Sequence, residues 1–325
     1  MGMLALDFMV RALIAGALTG VMAPAVGTYI VQRRLSLLGD GLGHVAIAGV
    51  GLALLTGRAP VTVAVVITVI GAVAIEWLRQ TGRASGDVGL AILFYGGLAS
   101  GVLMAGLAGQ GAGTLSQYLF GSLTSINNVD LVVVAAMAVV VLITAIGLSP
   151  QLFAVCADED YARAQGLPTR ALNLIIVVMA AITVAISMRT VGLLLVSALM
   201  VVPVATSQNL VLGFRRGLAT AMGLGLALAV GGVVASYYLD TASGATIVVL
   251  AVIVFGATLP VNSLLERRQR ASRPETDDEP LFERAEPHED LSDAQRHPAV
   301  LHGDHVDYLH DGHRHAPHGD HFDEH

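Results

Sequence analysis

The sequence predicts an all-α fold: a polytopic membrane helical bundle of about eight to ten transmembrane segments, ending in a disordered His-rich C-terminal tail. Three observations predict it. Hydrophobic residues make up 54% of the 325-residue chain and charged residues only 13%, with a mean hydropathy of +0.70. Such values fit a lipid-embedded bundle and exclude an ordinary soluble domain. Mostly apolar stretches of about 20 residues, the length that crosses a bilayer as a helix, recur through the first 265 positions. From residue 266 onward Pro, acids and His replace the apolar runs, and such a segment cannot bury a core.

The spans fall near 9–31, 36–56, 60–78, 88–108, 128–148, 171–188, 190–210, 217–238 and 244–264. Glycine is frequent in them, as in SGVLMAGLAG and GLGLALAVGG. Small residues let helices approach closely in lipid, where no hydrophobic drive brings them together. The first apolar stretch has neither a basic n-region nor a cleavage site leading into a soluble domain, so it reads as the first span. The region 171–210 is the least punctuated: about forty residues are apolar with only Ser187 to Thr190 as interruption, and it fits two spans or a span plus a re-entrant piece. Within the connection 109–127, LSQYLFGSL has the pattern of a short interfacial helix anchored by Tyr118 and Phe120, or of an ordinary amphipathic loop.

Arginines set the orientation. Arg33 and Arg34, Arg79 and Arg83, Arg163 and Arg170, Arg215 and Arg216, and Arg267, Arg268 and Arg270 alternate with connections that hold only Arg58 and Arg189. The positive-inside rule makes the first group cytoplasmic, the N-terminus external and the tail cytoplasmic. Charge divides the chain into a transmembrane domain, 1–265, and an acidic His-rich tail, 266–325. The first carries eleven Arg against nine acids and the second seven Arg against sixteen acids, so the net charge of −7 belongs to the tail.

The eighteen basic residues are all arginine. Without lysine the chain cannot contain a P-loop, whose lysine holds nucleotide phosphates. If ATP drives this protein, another subunit binds it. The single Cys156 excludes an intrachain disulfide and a Cys-rich zinc or iron–sulfur site.

His44 is the one histidine before His288, and it follows Asp40 by four residues in LSLLGDGLGHVAIAGVGLALLTG. Positions i and i+4 share a helix face one turn apart. At about 1.5 Å per residue from Arg34, Asp40 lies roughly 10 Å inward and His44 near the membrane middle. Ionisable groups at that depth face a protein interior or a water-filled path. Carboxylate and neutral imidazole are ligands for first-row divalent metals. A bland alternative is a locally capped Asp40 with one buried hydrogen bond on His44. Glycines 39, 41 and 43 leave space for an ion path or a close helix contact. Two ligands are too few for selective binding, and a homodimer would bring four to one ion. Glu76 lies near the end of the third span, close enough to pair with Arg79, while Asp87 and Asp130 read as interfacial.

Three stretches resemble the permease subunits of bacterial zinc and manganese ABC importers. RRLSLLGDGLGHVAIAGVGLALL is similar to that family's signature at the second span, ADEDYARAQGLPTRALN to its cytoplasmic coupling loop, and VGLLLVSALMVVPVATSQNL to its late segment with an interior proline. The resemblance covers roughly residues 8–265. It implies a non-enzymatic transport subunit of the cell membrane with a gate at Asp40 and His44. It also implies a coupling loop of Asp158, Glu159, Ala162, Gly166 and Leu167 docked on a separate cytoplasmic ATP-binding subunit. An extracytoplasmic metal-binding protein would deliver the cargo. That cargo is a divalent metal, zinc ahead of manganese or iron, and no cofactor is bound covalently. Nucleic acid is not among the partners. The competing class is a stand-alone secondary metal transporter or channel; an intramembrane metalloprotease would need H-E-x-x-H, which the spans lack.

The tail repeats HGDH at His302 to His305 and at His318 to His321. Dense His and Asp in a flexible segment bind zinc, nickel or copper modestly, as a buffer or sensor, or else merely solubilise.

Overall fold

The computed structural model describes residues 7–82, 86–109, 112–121, 128–272, 298–302, 305–310, 313–318 and 321–324. The chain divides into two units, Met1–Asn262 and Ser263–His325. The first is helical: α1 (Asp7–Gln32), α2 (Leu38–Thr56), α3 (Pro60–Gln80), α4 (Gly86–Leu107), α5 (Ala112–Phe120), α6 (Asn128–Gly147), α7 (Ser149–Ala157), α8 (Glu159–Ala164), α9 (Thr169–Val191), α10 (Leu193–Leu210), α11 (Phe214–Leu239) and α12 (Ser243–Ser272). Among the described residues eight helices are long and apolar enough to cross a membrane, namely α1 to α4, α6, α9, α11 and α12. That lies within the expected range.

The seventh expected span, 190–210, corresponds to α10, whose apolar stretch Leu195–Leu210 is shorter. Its boundary also differs from the expectation. The break falls at Gly192 and not at Ser187 to Thr190, because Gly192 has φ +91° and ψ 153°, a conformation open to glycine almost alone. A Cβ there would also lie 2.5 Å from the Phe120 carbonyl carbon. The α9–α10 corner is therefore where the end of α5 docks. The short helix expected in 109–127 is α5, with Phe120 exposed and Leu115 buried; residues 122–127 of that connection lie outside the described residues.

Helices α1, α2 and α9 form the centre, with 61%, 78% and 72% of their spanning stretches buried. The outer helices carry exposed apolar residues such as Ile70, Ile92, Val132, Ile143 and Ile253. Apolar side chains turned outward on a bundle this long are the surface a bilayer covers. Glycines set the closest approaches, since lipid supplies no hydrophobic drive between helices and dense contact must. A Cβ on Gly20 of α1 would stand 2.6 Å from the Gly225 carbonyl oxygen of α11. Tyr29, fully buried on α1, donates its hydroxyl hydrogen to the Ala145 carbonyl of α6.

The second unit includes β1 (Ala299–His302), β2 (His305–His310), β3 (His313–His318) and β4 (His321–Glu324), an antiparallel meander in the order β1-β2-β3-β4. The tail was expected to be disordered because it cannot bury a core, and its described strands, paired through backbone ladders, enclose none: Leu301 and Val306 remain 76% and 38% exposed.

Candidate functional site

Helix α2 carries Asp40 in its first turn and His44 one turn on. His44 is buried and Asp40 half-buried. The His44 Nδ1 lies 2.8 Å from the Asp40 backbone oxygen. A carbonyl can only accept, so Nδ1 carries the proton and donates it. In the neutral imidazole this bond selects the Nδ1–H tautomer, whose lone pair is on Nε2, the form in which imidazole ligates a metal. The hydrogen bond of the bland reading thus exists, part-buried, and it is compatible with a ligand role for Nε2. The ring packs on Phe94 of α4 with centroids 3.9 Å apart, which limits its rotation. The Asp40 carboxylate is not used by that hydrogen bond.

The glycines of α2 serve close helix contact. Gly43 is filled against by Leu193 of α10, Gly39 faces the Met200 sulfur and Ser197, and Gly41 faces Leu90 and Leu93 of α4. On α4, a Cβ at Gly97 would lie 2.6 Å from the His44 carbonyl carbon, and on α2 a Cβ at Gly51 would lie 2.5 Å from the Gly101 oxygen. The pair Gly97 and Gly101, four apart, is a small-residue spacing that the sequence displays. Phe94 is the residue that sequence reasoning missed, because a lone aromatic on an apolar helix carries no pattern. Among the described residues no three His, Cys, Asp or Glu side chains come together. Asp40 and His44 are the two candidate ligand side chains that α2 carries among the described residues.

The polar stretch 158–168 folds into a short helix with a glycine stop. Asp158 caps α8 by accepting from the Tyr161 backbone N–H at 2.9 Å. Gly166 has φ +80°, and the Leu167 N–H donates to the Ala162 carbonyl at 3.1 Å, which closes the C-terminal end. Ala162 is fully buried, so it anchors the helix and cannot itself be a surface contact. Tyr161 is exposed, and so is the Asp160 side chain. Glu159 meets Arg163 at 3.1 Å and, at 3.8 Å, the buried Arg33 that follows α1.

Arg33 thus joins α8 to the connection that leads into α2. Burial holds its guanidinium below the ordinary value, with Arg79 adding to the shift and Glu76, Cys156 and Glu159 opposing it. Glu76 is buried and takes Arg79 in a two-point contact at 3.0 and 2.8 Å, with Gln80 donating at 2.9 Å. The expected Glu76–Arg79 pair is present; its link to Arg33 was not legible. Burial also pushes the Cys156 thiol up to about 12, against the opposing pull of Arg33.

The tail residues His302, His305, His318 and His321 lie on described strands, but their side chains fall outside the described residues. Asp87 is likewise undescribed beyond its backbone, and Arg83 altogether.

Eight helices long and apolar enough to span a membrane, an aspartate–histidine turn on α2 and a capped polar helix between spans describe a polytopic membrane protein. Residues 5–261 match the model of the ABC 3 transport family, and the chain belongs to that family. The high-affinity zinc uptake system membrane protein ZnuB of Haemophilus influenzae is 29% identical over 78% of this chain and 97% of its own length. The manganese transport system membrane protein MntC of Halalkalibacterium halodurans is 30% identical over 83% of this chain and 94% of its own. Among solved structures, PsaBC of Streptococcus pneumoniae in complex with Fab superposes with a TM-score of 0.71 at 25% identity, covering 82% of this chain and 97% of that one. The chain is a permease component, and its relatives differ in the metal they are named for.

Proposed function

We propose that this permease moves a divalent metal ion into the cytoplasm, zinc ahead of manganese or iron, with Asp40 and His44 as ligands on the path. The observation that carries the reading is the His44 tautomer: Nδ1 is held by the Asp40 carbonyl, which leaves Nε2 as a ligand beside a half-buried carboxylate. An imidazole ligand favours zinc over manganese, which prefers oxygen-rich sites. Zinc takes four ligands, and one chain brings two, so a homodimer with both pairs about its two-fold axis completes the set.

A separate cytoplasmic ATP-binding subunit docks on α8 through Glu159, Asp160 and Tyr161, with Asp158, Gly166 and Leu167 shaping the helix and Ala162 seating it. Arg33 passes the movement toward α2. An extracytoplasmic binding protein supplies the ion, the complex sits in the cell membrane, and the tail holds arriving metal on the cytoplasmic side.

Uptake by the reconstituted transporter, with zinc, manganese and iron in competition, tests cargo and path together. Zinc should outcompete the others, and D40A and H44A should each lower uptake at least tenfold while the protein remains inserted. Wild-type uptake in both variants sinks the path; uptake without the ATP-binding subunit points instead to a stand-alone transporter.

A further inference from the structure

Helix α1 does not stop at a glycine. Its last turn closes on Arg34, which has φ +58° and is one of two non-glycine residues with a positive φ among the described residues. The Arg34 N–H donates to the Val31 carbonyl at 2.9 Å and the Leu35 N–H to the Ile30 carbonyl at 3.0 Å. Those two bonds make a Schellman stop, which glycine ordinarily supplies. A side chain at that φ is strained and persists where its surroundings over-determine the turn. Little slack follows. Leu35 packs against the core, the Leu38 N–H donates to the Leu35 carbonyl at 2.8 Å, and the Gly41 N–H donates to the Leu37 carbonyl at 3.0 Å. Asp40 stands seven residues beyond Arg33, so a bonded corner joins the end of α1 to the first turn of the path helix.

Arg33 opens this corner, and its N–H donates to the Tyr29 carbonyl at 3.1 Å. Its side chain is only 6% exposed, and a buried guanidinium needs a carboxylate. Glu76, the buried acid of α3, is already held by Arg79 at two points and by Gln80. Among the described residues the ion pair that Arg33 makes is with Glu159 of α8, at 3.8 Å. The two Glu159 oxygens are divided, one meeting Arg33 and the other the exposed Arg163. The countercharge of a buried cation is thus carried by a six-residue surface helix. Moving that helix away would leave the cation unpaired, which is strongly unfavourable, so Arg33 follows it.

We infer that Arg33 and Glu159 are positioning residues that tie the start of α2 to α8: a displacement of α8 carries Arg33 with it, and the Schellman-closed corner carries that displacement to Asp40. The inference rests on reading α8 as the surface that meets the ATP-binding subunit, and it adds the route by which that contact reaches the metal path. Glu159 works inward through the oxygen that meets Arg33. Arg34 contributes through its backbone, by holding the positive φ that keeps the corner closed.

The test compares variants of the full chain, reconstituted with its ATP-binding subunit in proteoliposomes, by the ATP hydrolysed per metal ion moved. E159Q and R33Q should each raise that ratio roughly fivefold or more, the size of an ordinary coupling between two sites. R33E/E159R reverses the pair and should bring the ratio back toward wild type. R163Q removes the other, exposed partner of Glu159 and should stay within about twofold of wild type. R34G accepts the positive φ and should remain coupled, whereas R34V removes the same charge but resists that φ and should not. Hydrogen exchange on the chain alone in nanodiscs should rise at the Leu35 and Gly41 amides in E159Q and not in R163Q. A wild-type ratio in E159Q or in R33Q overturns the inference. So does a reversed pair that stays uncoupled, which is what a purely external docking role for Glu159 predicts. Unchanged exchange at Leu35 and Gly41 in E159Q overturns it as well. Wild-type uptake without the ATP-binding subunit would instead sink the reading of α8, and the exchange measurement would still decide whether α8 holds the corner.

Discussion

Two adjacent glycines on α4 should respond oppositely to the same substitution. A Cβ on Gly97 would sit 2.6 Å from the His44 carbonyl carbon, 2.7 Å from the Val45 nitrogen and 2.8 Å from the His44 oxygen. All three are backbone atoms of α2, so no side chain can swing away. Reaching ordinary contact requires α4 to retreat by about 1 Å, which costs on the order of 1–3 kcal/mol as overpacking. Phe94, one turn back, would retreat with it from the His44 ring. Gly96 has nothing within 4 Å of its added Cβ, and there alanine gains up to about 1 kcal/mol of helix propensity. At roughly 2–4 °C per kcal/mol, G97A should lower the melting temperature by several degrees and G96A should hold or raise it. G97A should also lower metal uptake severalfold, because the Phe94 ring that limits rotation of the His44 imidazole moves away from it. Thermal unfolding in nanodiscs and uptake in proteoliposomes read the two effects. Equal melting temperatures for the two variants would refute the tight α2–α4 approach on which the geometry of the site depends.

G192A should yield little folded protein, since a left-handed φ with a 2.5 Å carbonyl contact adds a clash to backbone strain of about 1–3 kcal/mol; detergent-extracted monodisperse yield measures it, and a wild-type yield would remove the α5 docking corner. D158A should destabilise α8 by about 1 kcal/mol and D158S should restore it, because serine also caps a helix. Hydrogen exchange at the Tyr161 amide reads the cap and ATP-driven uptake reads its consequence; if D158S fails in uptake with α8 intact, the carboxylate acts as a docking charge. The Cys156 thiol, pushed up to about 12, should stay protonated at pH 8 and react with iodoacetamide far more slowly than a free thiol. Raising the pH from 8 toward 10 should leave it largely unreactive while the fold persists, and rapid labelling at pH 8 would contradict its burial. N173L should hold or raise stability: Asn173 is buried with neither amide atom hydrogen-bonded, and leucine removes that unmet demand. A loss of several degrees would mean that the amide is satisfied by water.

The sequence by itself determined the helical class, the positions of most spans, the change of character at the tail and the Asp40–His44 turn. Each of these is a local property: apolar runs of membrane length, a composition shift, and an i, i+4 spacing that any helix converts into one face. The glycine stop of α8 was legible for the same reason, since Gly166 precedes Pro168 and few other residues accept φ +80°. Tertiary structure decided what those local features meet. Phe94 and Gly97 reach His44 only because α4 packs on α2. Gly192, and not the polar Ser187 to Thr190, breaks the long apolar stretch because α5 docks on that corner. Arg33 meets Glu159 across 126 positions of chain, a pairing of two ordinary surface residue types with no sequence signal. Period, composition and the i, i+4 bond of His44 act within one element; packing partners are set by what lies across from it.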